Sequence, residues 1–326
     1  MAGLALPRIG AGLGGLRCAD VRAILDEELA ALPYRALVRR TRWFMMAYSL
    51  QVVTRPWLYT GSETMSEREQ GSARLARAAE LRALHVGPQP LVLPNAWDAA
   101  TARAVAEAGF PAVATTSSGM SASLGWADGE HTPSDEMFAA IFRVARAVDV
   151  PVTADIEAGY GLSPEQVVQR LLDAGGVGCN LEDTDHRTGT TLVNATEQAD
   201  RLAAVKRAAR AANVDIVVNA RVDVFLRQAP AEQTPIEEAI RRGRLYLAAG
   251  ADCIFPIGAP DAGTIAALAD GIPGPINVIA GFRGAPGQRR LRELGVRRIS
   301  YAGRLHRAML VEHQTRLAAL RAGEDF

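Results

Sequence analysis

From residue 91 onward the chain alternates between two apolar patterns. Short continuous apolar runs, as expected of strands buried on both faces, fall at 91–94, 112–116, 151–155, 178–182, 216–220, 253–256, 276–279 and 298–301. Each is followed by a stretch of 3.6-residue periodicity, at 99–108, 134–147, 163–174, 196–212, 236–249, 262–269, 288–294 and 304–320. Ser134 stands where an N-cap belongs, and glycines such as Gly109, Gly175, Gly250 and Gly295 close helices just before the next strand. The beat predicts eight strand–helix units in about 230 residues, the arithmetic of an α/β protein with a (β/α)8 TIM barrel. An open doubly wound sheet is the alternative. Either fold puts catalytic residues just after the carboxyl ends of strands.

Residues 1–64 follow neither pattern. Gly10, Gly12 and Gly15 form a G-x-G-x-x-G, but Pro7 and Arg8 precede it and no strand can be read upstream, so a dinucleotide site is not expected. The segment lacks the basic start and apolar run of a secretory signal, and Asp26, Glu27 and Glu28 count against an organellar transit peptide. The expectation is a poorly specified extension, consistent with translation from upstream of the true start. Residues 65–326 then form one catalytic domain.

Composition narrows the function. An apolar fraction of 48% is ample for a large core, and 36 Lys+Arg against 36 Asp+Glu gives no basic excess for nucleic acid. No run reaches the ~18 apolar residues of a membrane span. Cys18, Cys179 and Cys253, scattered and odd in number, exclude a disulfide framework and fit a reducing cytoplasm. Lys206 is the sole lysine and is followed by Arg207, which removes the G-K-[ST] phosphate loop and leaves at most one candidate Schiff-base amine.

Charge gathers at the strand ends. The third strand closes Asp155-Ile156-Glu157-Ala158-Gly159-Tyr160-Gly161, and two-residue spacing on an extended chain turns both carboxylates to one side. The fourth ends Glu182-Asp183 and the fifth Arg221-Val222-Asp223; the second leads through Ser117, Ser118, Gly119 and Met120 to Asp128. Carboxylates converging at a barrel mouth repel unless neutralised. Mg²⁺, with Mn²⁺ as a possible substitute, is the natural counter-ion, and no His pair or Cys lies at zinc spacing. Arg221 would supply a fixed positive group for a substrate carboxylate or phosphate. For Asp183 and Asp223 a part in this acidic site and an ordinary helix-cap or loop-surface position are both open readings. His186 is the one histidine of five in a catalytically placed loop, where a proton donor and a surface residue are both open readings.

The segments PNAWDAATARAVAEAGF, TTSSGMSASLGWADGE, TADIEAGYG, NLEDT and VNARVDVF resemble the isocitrate lyase/phosphoenolpyruvate mutase superfamily, in order over residues 80–320. The resemblance implies a (β/α)8 barrel whose last helix is exchanged between subunits of a homodimer or homotetramer. It also implies a Mg²⁺ site handling small 2-oxo or 2-hydroxy acids through an enolate. Carried over by motif, Asp155 is the direct metal ligand, and Glu157 and Glu182 hold the metal's water shell. Asp128 lies near the substrate, Ser118, Gly119 and Met120 form the turn holding its carboxylate and carbonyl oxygens, and Arg221 contacts it.

Three departures bear on the reaction. The K-[KR]-C-G-H loop of the isocitrate and methylisocitrate lyases is absent, and the loop after Leu181-Glu182-Asp183 lacks the lysine of the phosphonopyruvate-forming mutases. Ile257 stands after the sixth strand, where His or Glu is common in the family. The expectation is a Mg²⁺-dependent lyase cleaving a C–C bond of an oxaloacetate-like or methylisocitrate-like acid, with Arg221, Asp128 and His186 as its catalytic groups. Phosphorus–carbon chemistry and a non-catalytic metabolite-binding barrel are the alternatives.

Overall fold

The computed structural model describes residues 67–189, 191–227 and 234–325. The segment 1–64 lies outside the described residues. The elements run α1 (Glu67–Val86), β1 (Leu91–Leu93), β2 (Asn95–Ala96), α2 (Ala99–Glu107), β3 (Val113–Thr115), α3 (Ser117–Leu124), α4 (Ser134–Ala145), β4 (Val152–Asp155) and α5 (Pro164–Asp173). There follow β5 (Gly178–Glu182), the short β6 (Thr184–Asp185) and β7 (Thr191–Leu192), α6 (Ala195–Ala211), β8 (Val217–Val222) and α7 (Pro235–Ala248). The chain closes with β9 (Cys253–Pro256), α8 (Ala262–Gly271), β10 (Asn277–Ile279), α9 (Gln288–Glu293), β11 (Arg298–Ser300) and α10 (Arg304–Ala322).

Parallel pairing runs from β2 through β3, β4, β5 and β8 to β9, a single bridge from Ile254 to Ile276 carries it towards β10, and β10 pairs with β11. The ring closes because β1, the first half of the opening stave, pairs with β11 in the register Leu91↔Arg298. Pro94, which has no N–H to give a ladder, divides that stave into two pairings. Closure makes this the expected barrel and rules out the open doubly wound sheet. Three elements were not anticipated. Ser118–Met120, expected as a turn, lies inside the helix α3, and β6 and β7 make an antiparallel hairpin in the loop after β5.

The floor of the barrel is held by α1. Leu81 is fully buried, and a Cβ on Gly178 would stand 2.7 Å from its Cδ2 and 2.9 Å from the backbone oxygen of Val217, so glycine lets the helix and β8 close in there. Lys206 lies on this face, buried, its Nζ 2.6 Å from Asp215 and 3.1 Å from Asp252, with Arg82 of α1 paired to the same two acids. The sole lysine therefore braces the amino ends of β8 and β9, far from the face where barrels do chemistry.

Buried His85 closes the same floor. Its Nδ1 stands 2.8 Å from the Leu81 carbonyl and so carries the proton, which leaves Nε2 to accept from Arg298 Nη1 at 3.3 Å. Burial, and then the charge of Arg298, push this imidazole down to about 4. The unfolded chain takes up a proton near pH 6.5 and the folded one does not, so stability present above that value is lost as pH falls towards 4. Acidification from pH 7 to 4.5 should cost about 2–3 kcal/mol through this residue alone. His85→Gln, which keeps a neutral acceptor, should flatten that limb of a chemical-denaturation pH series; an unchanged slope would contradict the assignment.

Candidate active site

At the carboxyl ends of the strands, Asp155 finishes β4. Its N–H donates to Thr115 Oγ1 (2.8 Å), and its Oδ2 accepts the N–H of Ser117 (3.1 Å), the first residue of α3. Its Oδ1 is buried with no hydrogen-bond partner among the described residues. The extended geometry ends there. Glu157 has φ +50°, and Gly159, Tyr160 and Gly161 continue in the left-handed region. The two-residue alternation expected of Asp155 and Glu157 therefore does not apply, and the two carboxylates have different partners.

Glu157 Oε2 accepts the N–H groups of Gly129 (2.7 Å) and Glu130 (2.6 Å), and Oε1 accepts the Tyr160 hydroxyl (2.7 Å). Glu130 returns the contact, its carboxylate accepting the Tyr160 N–H. The loop carrying Asp128 is thus clasped to the loop after β4. Burial is the main cause holding the Glu157 carboxyl above its ordinary range, with the Tyr160 hydrogen bond opposing it.

Glu182 ends β5 directly beside Arg221 of β8. One of its oxygens pairs with Arg221 Nη1 and the other with His186 Nε2. Burial pushes Glu182 up to about 8 against the pull of Arg221. Burial also depresses His186, but the hydrogen bond and charge of Glu182 outweigh it, and the net direction is upward. Asp183 and Asp223, which could have been surface or cap residues, are both fully buried. Partial burial and then the charge of Asp155 raise Asp128, at the rim.

These groups enclose a cavity of about 220 Å³ lined by Ser117, Asp128, Glu157, Glu182, His186 and Arg221, with Arg227 and His131 at its edge. Of the expected substrate turn, Ser117 lines it in place of Ser118. Ser118 Oγ lies 3.1 Å from Thr116 Oγ1 and packs against Gly303; Gly119 is buried; Met120 is a core side chain whose N–H closes a helical turn on Thr116 O at 3.0 Å. The expected metal set stands at the ends of two neighbouring strands, with Asp155 last in β4, Glu157 two residues beyond it and Glu182 last in β5. Among the described residues no group of three His, Cys, Asp or Glu side chains is poised as a metal cage. Glu157 is held by two backbone N–H groups and the Tyr160 hydroxyl, and Glu182 by Arg221 and His186, yet burial keeps both carboxyls above their ordinary range. Asp155 remains. An orphaned, buried carboxylate oxygen is a fitting donor for a hard cation that keeps most of its waters. Glu130, Tyr160 and Thr115 were not singled out from the sequence; the Gly-Tyr-Gly run was the available signal for Tyr160.

The sequence profile described as phosphoenolpyruvate phosphomutase matches residues 81–321. The chain belongs to this family. An uncharacterised protein of Mycobacterium tuberculosis is 35% identical over 220 residues, covering 67% of this chain and 79% of that one. The 2-methylisocitrate lyase of Bacillus subtilis is 30% identical, over 61% of this chain and 65% of its own length. A crystal structure from Burkholderia cenocepacia, provisionally described as a phosphonomutase, superposes with a TM-score of 0.67 at 38% identity, covering 77% of this chain and 99% of that one. A 2,3-dimethylmalate lyase, of the PEP mutase/isocitrate lyase superfamily, superposes at 0.67 with 26% identity, covering 75% and 87%. Every residue lining the cavity lies inside the span matched to the family.

Proposed function

We propose that this protein is a Mg²⁺-dependent lyase that cleaves a C–C bond of a small 2-oxo or 2-hydroxy dicarboxylic acid through an enolate. The observation that carries the proposal is the buried Oδ1 of Asp155, without a hydrogen-bond partner among the described residues, on a carboxylate whose other oxygen holds the N–H of Ser117 in the wall of the cavity that Arg221 also lines. Asp155 would hold the cation, with Glu157 and Glu182 behind it. When bound, the metal supplies Lewis-acid stabilisation of negative charge on the substrate's 2-oxo oxygen. Arg221 orients the substrate carboxylate. His186 has Nε2 on Glu182, which leaves Nδ1 as the ring nitrogen able to deliver a proton to the carbon of the enolate. Asp128 at the rim lies beside the substrate, and the hairpin after β5 covers it.

Phosphorus–carbon chemistry is the second reading, favoured by the identity to the Burkholderia protein. Against it, the loop after β5 holds Arg187 and no lysine, and Arg187 is turned to Asp185. A cytoplasmic location is part of the proposal, in keeping with two buried free thiols; no helix of the described residues is long and apolar enough to cross a membrane. So is a homodimer or homotetramer, because Leu305, Met309, Leu310, Val311, Leu317 and Leu320 leave α10 with an exposed apolar side.

The test is incubation with Mg²⁺ and oxaloacetate, methylisocitrate, isocitrate or phosphonopyruvate, following pyruvate, glyoxylate, succinate and phosphate. Turnover of a carbon acid that chelation abolishes is expected, with sedimentation of the same preparation above the monomer mass. Phosphate release alone would select the second reading. No turnover of any of them would leave a metabolite-binding barrel.

A further inference from the structure

The contacts of Arg221 continue away from the cavity through a chain of fully buried groups. Asp223, one residue beyond β8, takes the guanidinium side-on, with Nε at 2.7 Å from Oδ1 and Nη2 at 2.8 Å from Oδ2. Its Oδ2 also accepts the Thr184 hydroxyl at 2.5 Å. The N–H of Asp223 donates to Asp183 Oδ1 (2.9 Å). Asp183 Oδ2 accepts from Arg242 Nη1 and the Tyr246 hydroxyl, both at 2.8 Å, and Arg242 Nε is held by Glu238 at 2.7 Å. Asp183, Asp223, Glu238 and Tyr246 are 0% exposed and Arg242 3%, so the cost of burying these charges is met only if every partner is in place.

A guanidinium has five N–H donors in one plane. Asp223 takes two, on Nε and Nη2, and Glu182 is ion-paired with Nη1, on a side chain that lines the cavity. The remaining N–H groups suit a carboxylate, and the plane of the guanidinium is set from behind by Asp223. We infer that Asp223 is a positioning residue for Arg221, and that Asp183, braced on α7 by Arg242 and Tyr246, fixes Asp223 in turn. The kinetic consequence rests on the lyase reading; the structural one does not.

Asp223→Asn tests it. Whichever way the amide faces, an N–H is turned on an Arg221 N–H, so the guanidinium is pushed from its plane. A crystal structure of the variant should show Arg221 displaced or in more than one rotamer, with β8 in place; an Arg221 superposing on the parent overturns the inference, whatever reaction the protein performs. In kinetics, kcat/KM for the acid turned over should fall about a hundredfold, the scale of a misplacement near 1 Å. The loss should vanish in an Arg221→Lys background, because a residue acting through Arg221 has nothing left to act on. Losses that multiply in the double variant would mark a merely structural role. Should Asp223→Asn not fold, Tyr246→Phe removes one contact at the far end and should lower kcat/KM several-fold, again only while Arg221 is present; an equal loss in both backgrounds overturns the inference. If the parent turns over no acid, the lyase reading fails and the crystal structure alone decides.

Discussion

Asp155→Asn should abolish turnover, by on the order of a thousandfold or more, without lowering the melting temperature. Loss of a cation that stabilises charge on a substrate oxygen removes several kcal/mol of transition-state stabilisation, and each ~1.4 kcal/mol is tenfold in rate. The stability half follows from the contacts. Asparagine keeps an oxygen for the Ser117 N–H, and the oxygen it replaces has no hydrogen-bond partner among the described residues to lose. Asp155 also acts on its surroundings as a like charge, and its field raises Asp128, Glu157 and Glu182 alike. Neutralising it relieves that repulsion, so the variant should melt at or above the parent. Such a trade of stability for activity marks a group kept for chemistry. Calorimetric titration with Mg²⁺ should give heat for the parent and none for the variant. Activity within tenfold of the parent, or a clear loss of stability, would show that Asp155 is an architectural carboxylate.

The barrel was legible because its signal is local. The staves are short apolar runs, and helices ahead of four of them stop on Gly109, Gly175, Gly250 and Gly295, so neither signal depends on what the rest of the chain does. The acid rim was legible for the same reason, since β4, β5 and β8 each carry their charge at the last or next residue. What escaped depends on partners distant in sequence or on backbone angles. Asp183 looks like a loop residue until Arg242 and Tyr246, some sixty residues beyond it, come back to hold it, and Asp223 until Thr184 of the preceding loop meets it. Ser118–Met120, in a stretch whose serines and glycine read as turn, lies inside the helix Ser117–Leu124, where Ser118 packs against Gly303 and is not among the residues lining the cavity. A left-handed Glu157 cannot be inferred from residue type, because φ above zero disfavours every side chain. Lys206 shows the opposite limit. Counting lysines was enough to restrict Schiff-base chemistry to one residue, and only its partners Asp215 and Asp252 show why that residue is there.

Glu157 separates two roles that the family resemblance and the geometry give it, and three substitutions tell them apart. Glu157→Ala leaves the N–H groups of Gly129 and Glu130 and the Tyr160 hydroxyl without their acceptor. A buried donor left unmade costs about 1–3 kcal/mol, so after partial rescue by water the variant should lose on the order of 3 kcal/mol. Freed from its clasp, the loop bearing Asp128 should lower kcat/KM about a hundredfold. Glu157→Gly should be less damaging to stability than the alanine, although it removes more atoms. At φ +50° a Cβ costs roughly 1 kcal/mol that glycine does not incur, and the lost contacts are the same. Glu157→Gln is the deciding variant. The amide keeps an oxygen for the two backbone donors and an NH₂ for the tyrosine oxygen, so a clasp survives, whereas a carboxylate ordering a cation's water shell does not. Near-parental stability and turnover in the glutamine variant would place Glu157 in the architecture of the loop. Parental stability with turnover lost about as far as in Asp155→Asn would return it to the metal.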